Sequence, residues 1–166
     1  HESRWKEFIR EIPIKPGDFI QIDPGTVHAI KGGTLLLETQ QSSDITYRVY
    51  DYDRLSGGKP RQLHIAQSID VITVPAKSAD NSVVHTEKKD DAIQQLIQCP
   101  YYTVYRIDVE HRVETWQDKP FILMSVVDGE GTLNGTHLKK GDHLILPDGY
   151  GKVELQGRMQ IIASTI

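Results

Sequence analysis

Gly17-Asp18-Phe19-Ile20-Gln21-Ile22-Asp23-Pro24-Gly25-Thr26-Val27-His28 is echoed, without a gap, by Gly141-Asp142-His143-Leu144-Ile145-Leu146-Pro147-Asp148-Gly149-Tyr150-Gly151-Lys152. Each copy starts on a Gly-Asp pair, runs through an apolar stretch of strand character and closes on a turn containing Pro and Gly. Gly25 falls on Gly149, and His28 falls on Lys152. Gly tolerates the positive φ of a tight turn, Pro fixes the entry angle, and the strand that follows aims its first side chain inward. Two such copies predict two related β-lobes.

Working outward, short runs rich in β-branched and aromatic residues, bounded by Gly, Pro, Asn or Asp, predict strands near 12–15, 18–22, 34–39 and 45–52. Residues 53–60 read as a loop and 61–70 as weakly helical, and the stretch from Val74-Pro75 to Asn81 reads as a connector. Further strands are expected near 83–87, 92–98, 102–109, 112–116, 121–127, 131–134, 143–146, 152–156 and 158–165. A tight Gly-rich hairpin turn is expected at Val127-Asp128-Gly129-Glu130-Gly131-Thr132. Strands at this spacing argue for a sandwich or barrel. At the start of the chain, Trp5, Phe8, Ile9 and Ile12 are spaced as one face of a short helix.

The 166 residues carry a formal charge of -4 with Lys and Arg scattered among Asp and Glu, so no basic face exists to neutralise a nucleic-acid backbone. Hydrophobic residues make up 38% and charged residues 25%, ordinary for a soluble globular protein. No apolar stretch approaches the ~20 residues of a membrane span, and no secretory leader layout is present. A cytoplasmic location is expected. Cys99 stands alone, so metal chemistry in this chain must rest on His and carboxylate ligands.

The Gly-x5-Pro-x-Gly-x2-His pattern resembles the second motif of the cupin superfamily, with Asp23-Pro24 set one place later than the pattern's Pro. The run Pro24-Gly25-Thr26-Val27-His28-Ala29-Ile30, followed by Leu37-Glu38-Thr39-Gln40-Gln41 and by Ile45-Thr46-Tyr47-Arg48-Val49-Tyr50-Asp51-Tyr52-Asp53-Arg54, closely resembles type I mannose-6-phosphate isomerase in its shorter bacterial form. The resemblance implies an all-β fold of cupin-type jelly-roll barrels with one or two short helices. Residues 1–75 would be the C-terminal portion of a catalytic, metal-binding barrel, and 76–166 a complete second barrel without metal. The chain opens on His1, and nothing in it matches the family's upstream Gln-x-His and Glu ligands, as expected of the C-terminal part of such an enzyme.

The resemblance further implies a zinc-dependent aldose–ketose isomerase interconverting mannose 6-phosphate and fructose 6-phosphate, with this stretch inactive alone. His28 would be one metal ligand and Arg48 the guanidinium that stabilises negative charge on the enediol. On spacing alone, His28 also suits a satisfied turn histidine, and Arg48 an ion pair with Asp44, Asp51 or Asp53. Glu38 and Gln40, on one face of their expected strand, are candidates for sugar hydroxyls or for structural hydrogen bonds. The other reading is a non-catalytic cupin module that binds a sugar or a partner protein, motivated by Lys152 in the place of the second copy's His. Around Leu35-Leu36-Leu37 an unpaired edge is expected, to be covered by another copy of the chain or by an N-terminal half.

Overall fold

The computed structural model describes residues 5–41, 43, 45–76, 83–84 and 92–166. In chain order the elements are α1 (Trp5–Phe8), β1 (Phe19–Ile20), β2 (Leu55–Ser56), β3 (Lys59–Pro60), α2 (Ile65–Val71), β4 (Val83–Val84), β5 (Ile93–Gln98), β6 (Thr103–Val109), β7 (Arg112–Gln117), β8 (Phe121–Leu133), β9 (Thr136–Lys139), β10 (His143–Pro147) and β11 (Gly151–Thr165). The fold is all-β of the cupin kind with two short helices. It divides into two compact units, His1–Leu35 with Ser42–His85, and Leu36–Gln41 with Thr86–Ile166.

The second unit is a seven-stranded antiparallel sheet in the order β10-β8-β11-β6-β5, with β7 also on β11 and β9 also on β8. The strand β11 organises it. Its first part, Gly151–Gln156, pairs with β7, its later part, Met159–Thr165, pairs with β6, and Leu155–Ser164 pairs with β8. Alternate residues of β11 point inward: Val153, Leu155, Met159, Ile161 and Ala163 are all buried, the period of two that a strand requires. They meet Ile107 and Val109, Val113, Met124, Val126 and Leu133, Leu138 and Leu146 in one hydrophobic cluster.

Three expectations for this unit are corrected. The stretch 127–132 is not a turn but the middle of β8, which runs unbroken to Leu133. A bulge lies there instead, where Gln160 pairs with Asp128 and Ile161 with Val126. The hairpin turn sits at Asn134-Gly135, both with positive φ (46° and 82°), the Asn-Gly pair that a two-residue turn favours. Asn134 locks it: its side-chain carbonyl accepts the Glu154 N–H at 2.7 Å and its amide donates to the Lys152 carbonyl at 2.8 Å. The strands expected at 152–156 and 158–165 are likewise one strand, β11, and β9 was not anticipated.

In the first unit only Phe19–Ile20 forms a strand among the stretches expected at 12–15, 18–22, 34–39 and 45–52, and it pairs with Val83–Val84. A strand exists only by hydrogen bonding to a neighbour, and the other stretches have no ladder partner among the described residues. Residues 85–87 of the expected strand 83–87 lie outside the described residues. The segment 53–60, read as a loop, folds into the hairpin β2–β3 through Gly57-Gly58, and the weak helix expected at 61–70 is α2. Among the described residues of this unit only Asp51 and Ser68 are buried, while Phe8, Ile30, Ile45, Leu55, Ile69 and Val74 are exposed and Leu35 is 91% exposed.

Leu155 is completely buried and Ile145, on β10, is 64% exposed. Leu155→Ala therefore lowers stability by about 2–5 kcal/mol, while Ile145→Ala changes it by less than about 0.5 kcal/mol. Urea denaturation followed by circular dichroism checks the contrast, and equal losses would contradict the assigned core.

Candidate functional site

The duplicated sequence signature is duplicated in hydrogen bonds. In the first copy the Lys15 N–H donates to the Asp18 carboxylate at 2.9 Å and the Asp18 N–H donates to the Lys15 carbonyl at 3.1 Å, around Gly17 at φ 91°. In the second, the Lys139 N–H donates to the Asp142 carboxylate at 2.8 Å and the Asp142 N–H to the Lys139 carbonyl at 2.9 Å, around Gly141 at φ 92°. Eight residues later each copy turns again. Thr26 N–H donates to the Asp23 carbonyl at 3.2 Å and Tyr150 N–H to the Pro147 carbonyl at 3.3 Å.

Gly25 has two reasons to be glycine. Its φ is 81°, and a Cβ there would run into Thr73 Oγ1 and come within 2.7 Å of the Val71 carbonyl oxygen. The Thr73 N–H donates to the Gly25 carbonyl at 3.0 Å, so the turn is seated on the chain leaving α2. This seat positions His28, which is exposed. The His28 Nδ1 lies 2.9 Å from the Thr26 carbonyl oxygen. A carbonyl only accepts, so Nδ1 is the donor in this bond, which leaves Nε2 as the nitrogen a metal ion would use. The equivalent Lys152 instead forms an ion pair with Glu114 at 3.0 Å and holds that carboxyl below its ordinary range.

Arg48 is gripped through its backbone by His64: the Arg48 N–H donates to His64 Nδ1 at 3.1 Å and the Arg48 carbonyl accepts the His64 N–H at 2.8 Å. Its guanidinium donates to the Gln62 carbonyl at 3.3 Å and lies 3.7 Å from Asp51. Asp44 lies outside the described residues. The strand expected at 45–52 would put Arg48 and Asp51 on opposite faces; they come together because 45–50 is not a strand and residues 51–54 form a tight turn. The Arg54 N–H donates to the Asp51 carbonyl at 3.1 Å across Tyr52 and Asp53, both left-handed (φ 53° and 55°).

Asp51 is the hub. Arg61 donates through Nε to Oδ2 at 2.6 Å and through a second nitrogen to Oδ1, and Arg54 donates to Oδ1 at 2.7 Å. The carboxylate is only 6% exposed. Arg61 above all, and Arg54 after it, hold its pKa down to about 2 against the opposing effect of burial. From the sequence Asp51 is expected only as one of three possible ion-pair partners of Arg48, and Arg61 and His64 are not expected at the site. Arg48, Asp51 and Arg54 are spaced three apart, a signal for the hub, but nothing local marks Arg61 or His64.

Glu38 and Gln40 are exposed on Leu36–Gln41, which belongs with the second unit, whereas His28 and Arg48 belong to the first. Among the described residues no hydrogen bond or ion pair joins His28 to Arg48, and no three His, Cys, Asp or Glu side chains are placed to hold a metal ion. Zinc usually takes three or more protein ligands, so the described residues do not by themselves fit such a centre. His28 would supply one ligand.

Because the folded-state pKa of Asp51 is depressed, its stabilising effect is present above the ordinary carboxylate value of 3.8 and is lost as pH falls through about 2. A carbon-detected NMR titration should place the Asp51 midpoint near the lower figure in the native chain, and nearer the ordinary value in Arg61→Gln. An unmoved midpoint would remove Arg61 as the dominant cause.

Residues 92–166 match the family model described as mannose-6-phosphate isomerase, cupin domain. The chain is 45% identical to mannose-6-phosphate isomerase ManA of Bacillus subtilis over 98% of its own length and 53% of that protein's. It is 42% identical to the mannose-6-phosphate isomerase of Streptococcus mutans over 96% and 52% respectively. The chain thus spans about half the length of the curated relatives it matches. The crystal structure of the Bacillus subtilis mannose 6-phosphate isomerase is similar with a TM-score of 0.65 and 36% identity, over 75% of this chain and 41% of that one. The apo Salmonella typhimurium enzyme is similar in fold alone, with a TM-score of 0.52 and 16% identity over 64% and 28%. No described helix is long and apolar enough to cross a membrane. Residues 92–166 are thus similar to the mannose-6-phosphate isomerase cupin domain, and nearly the whole chain is similar in sequence to about half the length of bacterial mannose-6-phosphate isomerases.

Proposed function

We propose that this chain is part of a cytoplasmic, zinc-dependent isomerase that interconverts mannose 6-phosphate and fructose 6-phosphate. The observation that carries the reading is His28, exposed at the repeated turn with its Nδ1 engaged by the Thr26 carbonyl. The identity to bacterial mannose-6-phosphate isomerases over nearly the whole chain supports it. In this reading His28 supplies one zinc ligand, and the others come from the part of the relatives' length that this chain does not span. Residues 1–75 then belong to the metal-binding barrel, and 76–166 form a second barrel without metal.

Moving a proton between C1 and C2 of the sugar puts negative charge on its oxygens. Arg48 bears a guanidinium, whose positive charge can stabilise such an oxygen. Glu38 and Gln40, both exposed, are offered as contacts to sugar hydroxyls. The apolar residues left exposed in the first unit, Leu35 foremost, support pairing with a second copy or with an N-terminal half. A non-catalytic sugar- or partner-binding module is the competing reading, favoured by the ion pair that occupies Lys152.

In the full-length protein, Arg48→Ala should lower kcat about 100- to 1,000-fold with zinc content unchanged, whereas His28→Ala should lower zinc content itself. A coupled assay with metal analysis checks both, and near-normal turnover by Arg48→Ala would end its assigned role. The 166-residue chain alone should bind zinc weakly and turn nothing over. A tight stoichiometric zinc site in it would contradict the division of ligands, and a full-length protein with no isomerase activity would favour the binding module.

A further inference from the structure

Asp51 is the only buried ionisable side chain among the described residues. A buried carboxylate needs partners, and one bidentate arginine satisfies it. Arg61 is that arginine, with Nε on Oδ2 at 2.6 Å and a second nitrogen on Oδ1. Arg54 and Arg48 nevertheless converge on the same group. Arg54 arrives by way of a left-handed Tyr52, a conformation unfavourable for a residue with a side chain, and donates through Nε to the Asp51 carbonyl at 3.2 Å. Strain of this kind persists where the surroundings over-determine it, characteristically near sites of function.

The three guanidiniums are held unequally. Arg61 takes the fork and Arg54 takes a direct bond, but Arg48 stands off at 3.7 Å with one 3.3 Å bond to the Gln62 carbonyl. Three cations about one carboxylate leave a surplus of positive charge, and Arg48 is the one whose donors are least used. Its backbone is fixed independently, on both sides, by His64. We propose that Asp51, braced by Arg61, is a positioning residue for Arg48: it fixes the direction of the guanidinium without neutralising it, keeping the charge available to an anionic oxygen of the sugar phosphate. This inference rests on the reading of Arg48 given under the proposed function.

The test is steady-state kinetics on mannose 6-phosphate with the full-length protein and its Asp51→Asn, Arg61→Lys and Asp51→Asn/Arg61→Gln variants. Misaligning a group by an ångström costs on the order of 100-fold, so kcat should fall about 10- to 100-fold, while KM stays within about threefold and zinc content is unchanged. Asp51→Glu, which keeps the charge, should recover part of the loss. If Asp51→Asn leaves the arginines too repulsive to fold, the double variant, which removes one charge of each sign, carries the test. Arg61→Lys keeps the charge and loses only the fork. A folded double variant with unchanged kcat would overturn the proposal, as would a loss confined to KM. Arg48→Ala in the same assay separates the failures: if it is inactive while the Asp51 variants are normal, only the positioning role fails, and if it is active the role of Arg48 fails with it.

Discussion

Both edges of β11 are hydrogen-bonded, one to β8 and the other first to β7 and then to β6. A strand twists as it runs, so fifteen paired residues carry their neighbours around with them and leave the sheet curved. The exchange of partner along one edge is what lets a single strand serve two faces of the unit. Its inward residues, Val153, Leu155, Met159, Ile161 and Ala163, then form the axis on which the other strands place their apolar side chains. Gln117, the buried amide of β7, closes one side of this core by donating to the carbonyls of Lys119 and Pro147 at 2.8 and 3.1 Å.

How far this was legible in the sequence follows from where the information is local. The alternation along 103–109 and 151–165 is written in the residues themselves, because one face of each strand packs and the other does not. The error at 127–132 came from reading glycine as a turn signal. Gly129 is there because the Arg158 carbonyl of the facing strand occupies the place of a side chain, a fact the sequence of β8 alone does not contain. Asn134-Gly135 carried the true turn in plain view. The stretches 34–39 and 45–52 have strand composition, but composition does not provide a ladder partner.

The candidate site divides in the same way. His28 and Arg48 are candidates that a turn motif and a resemblance name at fixed positions in the sequence. The support around Arg48 was not, since Asp51 meets Arg61 from ten residues away and the His64 ring accepts the Arg48 N–H from sixteen. Neither spacing is a period of helix or strand. The ion pair weighed as the alternative for Arg48 is present with Asp51, but it is long, and the carboxylate gives its better bonds to other arginines.

The two Gly-Asp turns share a glycine φ near 90° and the same pair of hydrogen bonds, yet one leads to an imidazole and the other to an ammonium. The backbone of the motif is therefore indifferent to the chemistry it presents. His28 bonds through Nδ1 to the Thr26 carbonyl of its own turn, and Lys152 finds a carboxylate across the sheet. The side chain presented at this position can therefore be exchanged while the two hydrogen bonds that build the turn stay as they are.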